Sequence, residues 1–190
     1  RDFFPQYKAG RKKGRENDDK DWDAIFEVLN KIKSEFKDNL PYKYLEVYGA
    51  EADDIIATLC KYTQTEKDRS KNEKVMIVSG DKDFIQLQRY SNVDQYSPIT
   101  KKYINGHDPI TYIKEHILKG DTSDGVPNVL SPDHTFTEGL RQRPLSRKKI
   151  DTWIDIDMED MTDEVKRNYQ RNEKLISLDK IPEELEEEIL

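Results

Sequence analysis

The sequence predicts an α/β fold whose largely parallel sheet is flanked by helices. Three observations carry this. Candidate strands and helices alternate along the first 120 residues, as in βαβ units. The run Val75-Met76-Ile77-Val78 is wholly apolar and ends at Ser79-Gly80, which suits a buried strand. Apolar residues at helical spacing lie on both sides of that run.

In order along the chain, residues 1–20 are rich in Lys, Arg, Asp and Gly and have no sustained apolar period. They predict a mobile arm, partly helical. Residues 22–37 place Trp22, Ile25, Phe26, Leu29, Ile32 and Phe36 at steps of three and four, an amphipathic helix capped by Asp19 or Asp21 and followed by Pro41. Residues 43–48 (KYLEVY) are a short strand candidate. Residues 51–62 carry Ala52, Ile55, Ile56, Leu59 and Cys60 at helical spacing. Residues 64–73 are a polar loop, and the apolar strand follows. A short helix begins near Asp83. Residues 92–97 and 101–104 are two further short strands, and residues 108–118 a helix that Gly120 ends. Residues 121–150 hold Pro127, Pro132 and Pro144 and predict loops. Residues 160–175 and the acidic end IPEELEEEIL predict helices.

A length of 190 residues suits one domain or one domain with an appendage. The single cysteine, Cys60, excludes a disulfide framework and a cysteine zinc site. No apolar run is long enough to span a bilayer and no signal peptide is apparent, so a cytoplasmic protein with no membrane partner is expected. The chain starts at Arg1 rather than Met, which predicts that the natural N-terminus lies upstream.

Net charge is −7 with 37% charged residues, unpromising for a nucleic-acid partner until its distribution is considered. Arg1, Lys8, Arg11, Lys12, Lys13 and Arg15 face one acid, Asp2, in the first fifteen residues. Residues 139–150 hold Arg141, Arg143, Arg147, Lys148 and Lys149 and no acid. Two such segments can bind phosphate locally on an acidic protein.

Three groups of acids stand out. Glu51-Ala-Asp53-Asp54 opens a helix, where the macrodipole favours acids in any case. Asp81-Lys-Asp83 follows the apolar strand, and ligands of open parallel sheets gather beyond strand carboxyl ends. Asp121-Thr-Ser-Asp124 follows Gly120 in a turn. Singly, each group has an ordinary explanation in caps and turns. Together they would crowd negative charge at one edge of the sheet, which is unfavourable without cations. Oxygen donors and few histidines point to magnesium or manganese rather than zinc. Two ions ~3.5–4 Å apart would activate water and stabilise the leaving oxygen of a phosphodiester. His107, His116 and His134 are dispersed and receive no catalytic role, and no phosphate-cradling glycine loop argues for an ATPase.

The stretches FPQYKAGR, YGAEADDIIATL, VMIVSGDKDFIQL and LKGDTSDGVPNV resemble, in order and spacing, the flap endonuclease superfamily, and most closely the ribonuclease H branch from T-even-like bacteriophages. RNEKLISLDKIP resembles a C-terminal region of the phage proteins. The resemblance implies a PIN-like 5′-nuclease core over residues 21–120, a basic helical-arch segment over 1–20, and a helical duplex-binding region of helix–turn–helix type over 121–190. It implies that Glu51, Asp53, Asp81, Asp83, Asp121 and Asp124 are catalytic and hold two Mg2+ ions, with Mn2+ as a substitute. Asp54 is adjacent without a firm role. Lys8 and Arg11 would meet the scissile phosphate beside Tyr7, at the arch base. Lys12, Lys13, Arg15, Arg141, Arg143, Arg147 and Lys148 would join these three in binding nucleic acid. A K+ ion on main-chain oxygens of the GDTSDGVPNV segment is also implied.

The implied activity is 5′-3′ exonuclease, flap endonuclease and ribonuclease H cleavage, by a monomer, on duplex or flapped DNA and RNA–DNA hybrid. The implied task is primer removal in DNA replication, beside a polymerase, a sliding clamp or a single-strand binding protein. The sequence departs from the family in two places. One essential Asp on a first strand and another before the arch would both precede Arg1, and VLSPDHTFTEGLRQRP replaces the usual turn and helix after Asn128. Competing expectations are a nucleic-acid-binding fragment without chemistry and a haloacid-dehalogenase-like phosphatase. The phosphatase reading leaves the Glu51 and Asp121 groups without purpose. A PIN-domain ribonuclease would not explain GDTSDGVP.

Overall fold

A computed structural model describes residues 3–64, 72–156 and 160–190, without the side chains of Lys12 and Lys13. The structure is α/β. The central sheet has the order β1-β2-β3, with β1 Val75–Val78, β2 Val93–Ser97 and β3 Lys102–Tyr103. β1 and β2 are parallel, Val75 opposite Val93 and Val78 opposite Tyr96. β3 turns back antiparallel on β2 and pairs over two residues. Helices α1 Ala9–Glu16, α2 Trp22–Asn39 and α3 Ala52–Tyr62 precede the sheet. A 3-10 helix, Lys82–Arg89, connects β1 to β2. Four α-helices follow among the described residues, α4 Pro109–Lys119, α5 Arg147–Ile154, α6 Asp163–Ile176 and α7 Glu183–Ile189, with a 3-10 turn at Leu178–Lys180 between the last two.

Helix ends follow local chemistry. Asp21 caps α2 by accepting from the Ala24 N–H at 3.0 Å, and Asp108 caps α4 by accepting from the Thr111 N–H at 3.0 Å with Pro109 at its first turn. Three apolar clusters hold the elements together. Ala57, Cys60, Ile77, Phe84, Leu87 and Val93 join α3 to the sheet and the 3-10 helix. Leu118, Val129, Ile150 and Val165 join α4, α5 and α6. Ile117, Val126 and Ile176 lie behind the Asp121 turn. Each Val, Leu, Ile or Phe side chain among them, fully buried, stabilises the fold by about 1.5–3 kcal/mol.

The structure corrects three expectations. Residues 43–48 form no strand: they are irregular and mostly exposed, with no neighbouring strand among the described residues to complete a ladder. β1 is not buried on both faces. Only β2 pairs with it among the described residues, so Ile77 is buried while Met76 and Val78 are exposed. The apolar stripe of α2 is likewise uncovered, with Phe26, Leu29, Ile32 and Phe36 each 44–49% exposed. No helix lies between Asn128 and Arg147, the stretch where VLSPDHTFTEGLRQRP departs from the family's usual turn and helix; turns fill it, as Pro132, Pro144 and the positive φ of Gly139 suit. Most of the 64–73 loop, residues 65–71, lies outside the described residues, as do Arg1 and Asp2. No helix among the described residues is long and apolar enough to cross a membrane.

Residues 126–129, Ser131 and Thr135 are buried although they belong to no helix or named strand, so their carbonyls need donors from elsewhere. Helix α6 supplies them through a polar inner face. The Asn172 side-chain amide donates to Ile117 O at 2.8 Å and to Pro127 O at 2.9 Å. Arg171 donates to Pro127 O at 2.7 Å and to Asp133 Oδ1 at 2.6 Å, and Asn168 donates to Val129 O at 3.0 Å. This network fixes the segment that carries Asp121 and Asp124.

Candidate active site

Three chain segments bring acids to one cleft. Glu51 is the N-cap of α3, with Asp53 and Asp54 in its first turn. The Glu51 N–H donates to Asp54 Oδ2 at 2.8 Å, so Asp54 serves as a helix cap. Asp81 caps the 3-10 helix beyond β1, accepting from the Asp83 N–H at 3.0 Å. Gln95, buried on β2, holds this turn by donating to Ser79 O at 3.0 Å and to Asp81 O. Asp121 and Val126 exchange backbone hydrogen bonds at 2.8 and 2.7 Å, closing a tight loop. Gly120 opens the loop at φ +69°, where a Cβ would collide with the Val126 and Pro127 carbonyls, so only glycine fits. Asp121 Oδ1 accepts from the Ser123 N–H at 2.7 Å and its hydroxyl at 2.6 Å.

Glu51, Asp53, Asp81, Asp83, Asp121 and Asp124 all line one cleft of about 920 Å³, with Lys8, Arg11, Tyr112 and His116. A second lobe shares Glu51, Asp53, Asp83, Asp121 and Asp124 and extends to Lys174 and Lys180. Lys8 and Arg11 reach the cleft from the start of α1. The Lys8 N–H donates to Asp124 O at 2.8 Å, and Lys8 holds a positive φ of 55°. Its ammonium pairs with Glu51 and lies 3.6 Å from Asp124 Oδ2. Arg11 pairs with Asp124 Oδ1, and the Tyr7 hydroxyl donates to Asp124 Oδ2 at 3.2 Å.

The charge density has chemical consequences. Burial, then the charges of Asp81, Asp121 and Asp124, push the Asp83 carboxyl up to about 7. Burial, then Asp54 and Glu51, raises Asp53. Burial and the Asp124 and Glu51 carboxylates push the Tyr7 phenol far above its ordinary value, so it stays a hydrogen-bond donor. The crowding is only partly offset by Lys8 and Arg11. Among the described residues, no three acid, histidine or cysteine side chains close on one point as a finished metal cage. Glu51 and Asp124 are drawn instead onto Lys8 and Arg11. The donor set still suits hard divalent cations: clustered carboxylate oxygens, with one proton retained near neutral pH for want of positive charge.

The other implied contacts lie elsewhere. Arg15 is exposed, its guanidinium 5.9 Å from the Phe26 ring centroid. Arg141, Arg143, Arg147 and Lys148 are exposed and do not line the carboxylate cleft. Arg143 pairs with Glu164 at 3.0 Å and Arg147 with Glu115 at 2.7 Å. The side chains of Lys12 and Lys13 lie outside the described ones.

Sequence reasoning missed His116 and Gln95. His116 Nδ1 is 3.4 Å from Asp83 Oδ1, and Nε2 is 3.8 Å from Asp121 Oδ2. Its signal was helical spacing: His116 lies one turn before Gly120 on α4, on the face shared with Tyr112. Gln95 showed none, being a polar residue in a five-residue strand.

Residues 1–116 match the family described as 5′-3′ exonuclease, N-terminal resolvase-like domain. The chain is 36% identical over 200 residues to the ribonuclease H of Enterobacteria phage T4, covering all of this chain and 63% of that protein. It is 34% identical over 139 residues to DNA polymerase I of Lactococcus lactis subsp. lactis, covering 67% of this chain and 15% of the polymerase. It therefore spans less than two thirds of either. Among solved structures, a flap endonuclease of bacteriophage T5 in complex with DNA and metal ions superposes with a TM-score of 0.66 at 18% identity, over 99% of this chain and 75% of that one. The T5 5′-exonuclease with bound zinc gives 0.65 at 18% identity, over 99% and 76%. At that identity the likeness is one of fold.

Proposed function

This chain belongs to the family of the 5′-3′ exonuclease N-terminal, resolvase-like domain, and we propose that its acidic cleft is the centre of a divalent-metal-dependent 5′-nuclease. The reaction is hydrolysis of phosphodiesters near the 5′ ends of DNA or RNA in duplex or flapped substrates. RNA paired to DNA is included, and the task is removal of RNA primers during replication. The observation that carries the reading is the arrival of six carboxylates from three segments in one cleft beside Lys8 and Arg11.

Glu51, Asp53, Asp81, Asp83, Asp121 and Asp124 would hold two Mg2+ ions, which Mn2+ can replace. Bound there, the ions supply a nucleophilic water at neutral pH and stabilise the leaving oxygen. The chain's own groups do the rest. Lys8 and Arg11 leave Glu51 and Asp124 to grip the scissile phosphate, and their fixed positive charge meets the negative charge that grows in the transition state. The Tyr7 hydroxyl keeps Asp124 oriented as Arg11 departs. The exposed Arg141 and Lys148 hold the duplex backbone away from the chemistry.

Cleavage of a 5′-labelled duplex with Mg2+ tests this. Asp81→Asn and Asp121→Asn are each expected to lower the rate by roughly a hundredfold or more, as losses of transition-state charge stabilisation do. Full activity in either variant would end the assignment.

A further inference from the structure

Of the three histidines, His116 lines the carboxylate cleft, and His107 and His134 do not. It is carried by α4, where Tyr112, one turn earlier, packs edge-on against its ring with 5.9 Å between centroids. The imidazole stands between acids of two different groups. Nδ1 is 3.4 Å from Asp83 Oδ1, Nε2 is 3.8 Å from Asp121 Oδ2, and all three side chains are mostly buried. Nδ1 is buried and has no hydrogen-bond partner among the described residues. A neutral imidazole carries a proton on one nitrogen and a lone pair on the other. With the proton on Nδ1, toward Asp83, the Nε2 lone pair faces an Asp121 oxygen. Two electron-rich atoms then confront each other away from bulk water, an arrangement that a cation between them relieves.

The distances suit a metal-bound histidine. Zn2+ lies about 2.0–2.1 Å from a ring nitrogen and about 2.0–2.2 Å from a carboxylate oxygen, so two donors of one ion stand at most about 4.3 Å apart. Nε2 and Asp121 Oδ2 fall within that limit. A ligating histidine gives its other N–H to a carboxylate, which fixes the tautomer and the ring. Asp83 is placed for that part, and Nδ1 lacks a partner. Oxygen donors alone suit Mg2+, whereas imidazole suits the later transition metals. The dispersed histidines of the sequence argued against zinc, but the fold brings one of them among the carboxylates. We propose that His116 Nε2 and Asp121 Oδ2 form a subsite for a transition-metal dication of the Zn2+ or Co2+ class within the oxygen-lined cleft, with Asp83 orienting the ring. Two protein donors leave the remaining positions of the ion to water. This rests on the reading of the cleft as a divalent-metal centre and adds how the cleft tells metals apart: ions of this class are held through His116, and Mg2+ is held without it.

The test is calorimetric titration of the metal-free full chain, without nucleic acid, with Zn2+ and separately with Mg2+. His116→Gln should weaken Zn2+ binding by about tenfold or more, the scale of such a loss at a metal site, and leave Mg2+ binding unchanged. His134 is 3.7 Å from Glu138 and is the rival zinc site, so His134→Gln should leave the tightest Zn2+ binding as it is in the parent. A measurement on the parent needs no variant to fold: the nitrogen resonance of His116 Nε2 should move on adding Zn2+ and stay in place on adding Mg2+. Zn2+ affinity that survives in His116→Gln, or disappears in His134→Gln, overturns the subsite, and so does an Nε2 resonance indifferent to Zn2+. Equal loss of both ions in His116→Gln overturns it as well, since His116 would then support the shape of the cleft. A parent that binds neither ion would sink the metal-centre reading too. Mg2+ binding beside a silent His116 sinks only this inference.

Discussion

Asp83 shows how a single residue reports the whole site. Its carboxyl is pushed to about 7 by burial and then by Asp81, Asp121 and Asp124, against an ordinary value of 3.8. Between those values the folded chain holds a proton that the unfolded chain releases. This group's contribution to stability therefore falls as pH rises from about 4 through 7, and the full penalty applies above 7. A three-unit shift corresponds to roughly 4 kcal/mol at most. The side chain is 29% exposed, so solvent screening reduces that to about 1–2 kcal/mol. Asp83→Asn removes the charge and keeps the shape. In EDTA the variant should melt higher than the parent at pH 8 by roughly 3–6 °C, show less than half of that gain at pH 5, and show none below about pH 4. Melting curves at the two pH values decide it: a gain independent of pH would mean that like-charge crowding is not what strains the site. Saturating Mg2+ should reverse the order, because the parent then gains more from ion binding than the variant does.

The elements differ in how clearly they could be foreseen. Helix α3 was legible because its apolar spacing and its acidic first turn agree. The VMIV strand and the acids after it were legible for the same reason. The 43–48 strand was not, because KYLEVY has strand composition but finds no partner, and a ladder needs one. The partly buried turns of residues 126–135 were invisible in local pattern because what stabilises them is remote in sequence. Asn168, Arg171 and Asn172 are polar residues within α6, and all three are buried donors to carbonyls some forty residues earlier or more. His116 was passed over because its carboxylate neighbours come from two other segments. The α6 network makes an element-scale prediction. Asn172→Ala leaves Ile117 O without its donor, while Pro127 O keeps Arg171. The expected cost is about 1–3 kcal/mol in urea unfolding. Cleavage should fall too, since Val126 and Pro127 set the loop that carries Asp121 and Asp124. A variant with unchanged stability would show that α6 does not support that loop.

At the scale of the molecule, the central tension is a net charge of −7 on a chain whose substrate is proposed to be a polyanion. The geometry resolves it by separating signs in space. Six carboxylates face one cleft, Lys8 and Arg11 stand at its side, Lys174 and Lys180 line its second lobe, and Arg141 and Lys148 are exposed elsewhere. Without divalent ions the carboxylates oppose a phosphate in the cleft, and Lys8 and Arg11 are held by Glu51 and Asp124. On the proposed reading, divalent ions held by these carboxylates would reverse that local field and release the two cations together. Duplex affinity should therefore rise about tenfold or more when Ca2+ replaces EDTA at constant ionic strength, a change monovalent salt cannot reproduce because added salt only weakens phosphate contacts. Asp121→Asn gives the sharper form of the same argument. In EDTA it should bind duplex more tightly than the parent, having lost one repulsive charge, while in Mg2+ it should cut far less. Filter binding and cleavage on one substrate measure both. If the variant bound less tightly than the parent in EDTA, Asp121 would be acting through the fold of its loop rather than through its charge, and the account of the cleft as a field reversed by metal ions would fail.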